Sequence, residues 1–200
     1  MSGGLGGAQR IFITGQGGSG KSTLARQLAA RLQAPVYLFD EIAYDPTTHR
    51  RRSDELRIAA VHAIAAQPAW VVDCWYMGWT DDLLRQADLI IWLDLSWRVA
   101  AWRILRRHVL ADLSGHNPHP GLRRLFAFLR SERQRYVAPV SSTVDLLHRD
   151  GANNRATTAR ILAVYHAKLA HCRRATDLAA MLRPSKVSTG AAPSGMWRVS

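Results

Sequence analysis

Gly15-Gln16-Gly17-Gly18-Ser19-Gly20-Lys21-Ser22 fits the phosphate-loop pattern G-x-x-x-x-G-K-[ST] at every constrained position. A pattern this short can arise by chance, so the flanking residues decide its meaning. On its N-terminal side, Arg10-Ile11-Phe12-Ile13-Thr14 is an apolar, β-branched and aromatic run that predicts a buried parallel strand. On its C-terminal side, Leu24, Leu28 and Leu32 recur at every fourth position, which predicts a helix over Ser22–Gln33 with one apolar stripe. Strand, glycine-rich loop and helix in that order set up an anion site. Glycines let the backbone take left-handed angles and turn its N–H groups inward, and the helix N-terminus adds the positive end of its dipole. Lys21 is placed to bring a point charge to β- and γ-phosphates, and the Ser22 hydroxyl to ligate Mg²⁺. Gly15, Gly17, Gly18, Ser19, Gly20, Lys21 and Ser22 are therefore expected around a nucleoside triphosphate. The alternative is a glycine-rich turn that binds nothing, and lysine and serine in register behind a strand argue against it.

Downstream, strands and helices alternate. Val36–Phe39 predicts a second strand ending in Asp40-Glu41, and Trp70–Asp73 and Leu89–Leu93 predict a third and a fourth, the last closed by Asp94. Three successive strands thus deliver Asp40, Asp73 and Asp94 to one edge of the sheet, where ligands of open parallel sheets bind. Ser53 predicts the N-cap of a helix with Asp54 and Glu55 in its first turn, an apolar stripe of Leu56, Ala59, Ala60, Ala63 and Ile64, and a stop at Pro68. Thr80 with Asp81 and Asp82 opens a short helix to about Ala87. Helical periodicity over Trp97–Leu110 breaks in Ser114–Gly121, which is rich in Gly, Pro and Asn and reads as a flap. It resumes over Leu122–Val137, with Leu125, Phe128, Leu129 and Tyr136 on the apolar side. Residues 139–154 support no assignment. Thr158–Ala167 reads as helix, Leu169–Cys172 as a fifth strand and Thr176–Leu182 as a closing helix. Residues 1–9 and 184–200 read as flexible tails around one domain over 10–183, with a lid over about 107–135.

At 200 residues and 48% hydrophobic content, the chain is sized for one core. The absence of a long apolar run or a signal-like N-terminus points to a cytoplasmic protein without a membrane partner. Cys74 and Cys172 have no metal-like spacing and read as small buried hydrophobes. His108, His116 and His119 suit loop positions better than a zinc site. The net charge of +12 comes almost wholly from arginine. Arg98, Arg103, Arg106, Arg107, Arg123, Arg124, Arg130, Arg133 and Arg135 face only Asp112 and Glu132 in the same region. Such a cluster grips a polyphosphate, lies against nucleic acid, or is solvated charge. By its charge pattern the polyphosphate clamp is the preferred reading. Trp75, Tyr76 and Trp79 follow the third strand and are either core or a stacking wall for a planar substrate.

The order of parts resembles the adenylate-kinase-like branch of the phosphate-loop NTPases, and in particular the small bacterial proteins labelled DNA topology modulation proteins. The matching pieces are Gly15–Ser22 with Thr23-Leu24-Ala25, Val36–Asp40, Trp70–Asp73, and Leu93-Asp94-Leu95-Ser96-Trp97 followed by Arg103, Arg106 and Arg107. The resemblance implies an α/β fold with a five-stranded parallel sheet in order 2-3-1-4-5, flanking helices and a lid. It also implies ATP and Mg²⁺ as cofactors, a small-molecule acceptor, and a monomer or weak homodimer. Thr23, Arg103 and Arg107 would lie at the nucleotide, and Arg130 or Arg133 would reach the transferred phosphoryl group. Asp40 would stand near the acceptor or a metal-bound water, with a solvated strand-end carboxylate as its bland alternative. Asp73 would stand one step behind the metal. Where adenylate kinases carry Asp-Gly-Phe-Pro-Arg, this chain has Asp73-Cys74-Trp75-Tyr76-Met77, which argues against AMP as acceptor. Two other readings compete with phosphoryl transfer: a nucleotide-dependent nucleic-acid-binding regulator, and an ATPase without an acceptor.

Overall fold

The three central strands of the sheet are buried on both faces, and their alternate residues feed two cores. In the computed structural model, which describes residues 7–115, 121–141 and 153–182, β1 (Arg10–Gly15) is central. It pairs in parallel with β3 (Trp70–Asp73) on one side and β4 (Leu89–Leu93) on the other. The outer strands β2 (Val36–Leu38) and β5 (Leu169–Cys172) complete the order β2-β3-β1-β4-β5, all parallel. Phe12, Trp70, Val72, Ile90 and Trp92 point into one core, whereas Ile11, Ile13, Val71, Ile91 and Leu93 point into the other. The period of two thus continues in strands that read as near-continuous apolar runs. This is an α/β phosphate-loop fold.

Helices α1 (Lys21–Leu32) and α8 (Ala175–Leu182) belong to the second core, through Leu24, Ala25, Leu28, Leu178 and Leu182. Helix α1 stops at Gln33, which adopts left-handed angles and donates its N–H to the carbonyls of Ala29 and Ala30. The opposite face carries α2 (Phe39–Ala43), α3 (Asp54–Ala65) and α4 (Asp81–Gln86). Helices α5 (Trp97–Leu113) and α6 (Leu122–Val137) rise beyond β4. Helix α7 (Arg155–Leu162) runs into a 3₁₀ segment over Ala163–Lys168 that leads to β5.

Several expectations need correction. The predicted stripe of α3 is out of phase: Leu56 is 60% exposed, Ala59 and Ala63 are exposed, and the buried face is Arg57, Val61, Ile64 and Ala65. Arg57 is only 1% exposed because its guanidinium lies 4.6 Å from the centre of the Trp79 ring and pairs with Asp54. The second strand ends at Leu38, so Asp40 lies in the first turn of α2 rather than in a strand-end loop. Thr80 precedes α4 without capping it, since its hydroxyl donates instead to the Tyr76 carbonyl at 2.8 Å. The expected N-terminal tail is tied down at its end: Ala8 is buried, and the Gln9 N–H donates to Asp88 at 3.1 Å. On α6 the buried residues are Leu125 and Glu132, seven positions apart, while Phe128 is exposed. Most of the expected flap, 116–120, and both remaining tails, 1–6 and 183–200, lie outside the described residues, as do 142–152 and therefore His116 and His119.

Candidate active site

The phosphate loop is wedged between the end of β4 and the flank of α5, and its glycines are where the contact is too close for a side chain. A Cβ on Gly15 would lie 2.6 Å from the Leu93 carbonyl oxygen. One on Gly18, whose φ is +77°, would lie 2.7 Å from the Ala100 carbonyl oxygen. The Ser19 N–H donates to the Gln16 carbonyl at 3.2 Å, closing the loop, and Gly20 opens α1 from the left-handed region. Arg103, reaching down from α5, donates to the Ser19 carbonyl at 2.8 Å.

Lys21 and Ser22 sit at the mouth. Lys21 Nζ donates to the Gln16 carbonyl at 3.3 Å, so the ammonium lies across the loop. Ser22 Oγ donates to Asp73 Oδ2 at 2.5 Å. That hydroxyl–carboxylate pair joins the start of α1 to the end of β3, and it is a hard oxygen pair of the kind Mg²⁺ takes. The loop also holds polar groups that find no hydrogen bond among the described residues: the Ser19 hydroxyl and the Gln16 side-chain amide, both buried. A glycine cradle, a lysine with a movable bond, unpartnered buried donors and an oxygen pair together suit a triphosphate with its magnesium.

These residues open on a cleft of about 880 Å³. Its lining includes Gly17–Thr23, Asp73, Arg103 and Arg107, together with Asp40, Glu41 and Trp75. Asp40 is held there by the Tyr76 hydroxyl, which donates to Oδ1 at 2.9 Å. The aromatic cluster splits by role. Tyr76 and Trp79 are buried in the core, where Trp79 also packs on Phe39, while Trp75 is half-buried and faces the cleft. Cys74 lies beneath this wall, fully buried, and burial pushes its thiol well above the usual range; it is packing, not a nucleophile.

Two expected site groups are elsewhere. Asp94 does not face the cleft: Arg155 donates to its two oxygens at 2.6 and 2.9 Å, and His171 Nε2 lies 3.0 Å away, so it locks α7 and β5 to the end of β4. Arg130 and Arg133 are exposed and do not line the cleft. The phase of α6 explains this, because the face carrying Leu125 and Glu132 is the one turned inward. The residue that α6 brings to the loop is one the arginine pattern hid. Glu132 Oε2 accepts the Gly17 N–H at 2.9 Å, and the same carboxylate pairs with Arg135. Its signal in the sequence was the seven-residue spacing from Leu125. Among the described residues no group of three or more His, Cys, Asp or Glu could hold a metal by itself, and His108 pairs with Asp112 at 3.2 Å. No described helix is long and apolar enough to cross a membrane.

No protein-family model and no curated protein matches the chain. Among solved structures it is similar to a shikimate kinase from Acinetobacter baumannii in complex with shikimate, at 17% identity and a TM-score of 0.44 over 82% of this chain and 97% of that one. It is also similar to a gluconokinase from Sinorhizobium meliloti 1021, at 19% identity and a TM-score of 0.41 over 80% and 96% of the two chains. An uncharacterized protein from Eubacterium ventriosum ATCC 27560 stands at 15% identity and a TM-score of 0.42 over 62% and 70%. Likeness at this level carries no argument about what the chain binds, and the chemistry rests on the site's own residues.

Proposed function

We propose that the chain is a phosphotransferase that moves the γ-phosphoryl group of ATP–Mg²⁺ to a hydroxyl of a small acceptor. The observation that carries this reading is a cleft lined by the phosphate loop and also by the Asp40 and Glu41 carboxylates and the half-buried Trp75. A nucleotide site alone does not need that second set of residues.

The loop amides and Lys21 would hold the β- and γ-phosphates, with Ser22 and Asp73 beside the metal. Bound Mg²⁺ supplies charge neutralisation across the phosphate oxygens. Arg103 is tied to the loop backbone and stiffens it, whereas Arg107, exposed at the rim, is free to meet charge that develops on the transferred group. Asp40, oriented by Tyr76, takes the proton of the acceptor hydroxyl as its oxygen bonds to phosphorus and the bond to the β-phosphate oxygen breaks. Trp75 offers a face for an acceptor ring.

The test is ADP release from ATP–Mg²⁺ across nucleosides, nucleoside monophosphates, sugars and other hydroxylated metabolites, with Lys21→Ala as the blank. Lys21-dependent release with one acceptor class supports the kinase and names its substrate class. Equal release with and without every acceptor would make the chain an ATPase instead.

A second reading has one observation in its favour: Arg106, Arg123, Arg124, Arg130 and Arg133 are all exposed on α5 and α6. The resemblance to DNA topology modulation proteins points the same way. If these arginines serve a nucleic-acid-binding regulator, duplex affinity falls with salt at a log–log slope near −0.9 per phosphate neutralised, roughly. Undetectable duplex binding at low salt would dismiss it.

A further inference from the structure

Glu132 is 1% exposed, yet it comes from a helix otherwise rich in outward arginines. One carboxylate oxygen accepts the Gly17 N–H at 2.9 Å, and the other is paired with Arg135. A carboxylate on a loop amide makes the same charge-assisted bond that a phosphate oxygen makes. The approach is close enough that a Cβ on Gly17 would lie 2.5 Å from Glu132 Oε2, so the glycine admits the acid as well as any ligand.

We infer that Glu132 is a resident occupant of one anion subsite of the phosphate loop, and that a triphosphate must displace it to seat. The inference rests on the nucleotide reading of the loop. A phosphoryl oxygen and the carboxylate cannot share the Gly17 amide, because both are anions that need the same donor. The resting loop is therefore closed by its own acid, and apparent nucleotide affinity is the intrinsic affinity reduced by the fraction of molecules in which Glu132 has left. The same step reaches the acceptor side. The Arg135 guanidinium lies 5.4 Å from the centre of the Trp75 ring, and Trp75 lines the cleft. Withdrawing Glu132 releases Arg135 from its ion pair beside that wall, so nucleotide entering the loop frees a cation at the acceptor end.

The test is equilibrium titration of the full chain with ATP–Mg²⁺ and, separately, with inorganic tripolyphosphate, using the wild type, Glu132→Gln, Glu132→Ala and Lys21→Ala. Both Glu132 variants are expected to bind both ligands about tenfold tighter or more, the gain from removing a charge-assisted competitor. Tripolyphosphate shows that the gain arises at the phosphates and not at the base. A structural role for Glu132 would weaken binding or leave it unchanged, so the sign of the effect decides. If Glu132→Ala fails to fold, Glu132→Gln keeps the shape, lacks the charge and carries the same expectation. Lys21-dependent binding by the wild type with no tightening in either variant would overturn the gate and leave the nucleotide site standing. No binding of ATP–Mg²⁺ by any form would overturn the nucleotide site, and the gate with it.

Discussion

Substituting Gly18 by alanine tests whether α5 is seated on the phosphate loop as closely as the structure has it. The residue has φ +77°, and an alanine Cβ would lie 2.7 Å from the Ala100 carbonyl oxygen and 2.9 Å from Ile104 Cγ1. Left-handed angles cost a residue with a Cβ about 1–2 kcal/mol. Forcing a methyl against a backbone oxygen that cannot swing aside adds overpacking of about 1–3 kcal/mol. Gly115 is the matched control: its φ is +69°, but among the described residues no atom stands within 4 Å of a Cβ placed there. Gly115→Ala therefore suffers only the first loss. Urea unfolding of both variants is expected to show a loss of about 1–2 kcal/mol for Gly115→Ala and at least about 1 kcal/mol more for Gly18→Ala. ATP–Mg²⁺ binding weakens only in Gly18→Ala, because relief of the clash moves the loop. Equal losses in the two variants would refute the close seating of α5 on the loop.

Three further outcomes follow from the same geometry. Burial raises the Asp94 carboxyl, but hydrogen bonds from Arg155 and His171 outweigh it and leave the pKa below the usual value. A lowered folded pKa contributes stability that is complete above the unfolded value of about 3.9 and lost as pH falls through the folded one. Asp94→Asn thus costs about 1–3 kcal/mol near neutral pH, and its gap in urea midpoint from the wild type closes as the pH drops below about 4; a gap that persists in strong acid would contradict this. Asp73→Asn leaves Ser22 without its carboxylate partner and should raise the Mg²⁺ needed for half-maximal ADP release by about 10–100-fold, read from a magnesium titration at fixed ATP. Arg107→Ala should lower kcat by about 10³-fold while ATP binding holds, and normal turnover would remove Arg107 from the transfer step. Assayed beside it, Arg130→Ala and Arg133→Ala report whether α6 turns either exposed arginine toward the cleft during catalysis.

The fold was legible because its strands are short apolar runs set off by loop residues, and the phosphate loop places the first of them at the centre. Trp70–Asp73, Leu89–Leu93 and Leu169–Cys172 were read to the residue. What sequence could not supply was rotational phase. In α3 the alanines fit several stripes equally, and the true face is organised by Arg57, a charged residue that sequence logic places outside. In α6 the arginines drew the eye to Arg130 and Arg133, while the inward position fell to Glu132. The aspartates that close the apolar runs show the same limit. Asp73 and Asp40 face the cleft, but Asp94, identical in local pattern, faces Arg155 and His171, which lie far along the chain. Residue type and spacing announce that a carboxylate ends a strand; only the tertiary neighbours decide what it meets.

The most direct test of the central claim follows the γ-phosphoryl group itself. ATP labelled at the γ-position is incubated with the chain, Mg²⁺ and the acceptor that most stimulates ADP release, and the label is located. Phosphoryl transfer predicts label on the acceptor hydroxyl, none transferred by Lys21→Ala, and little inorganic phosphate while the acceptor is present. Label recovered only as inorganic phosphate, at one rate with or without acceptor, would contradict it.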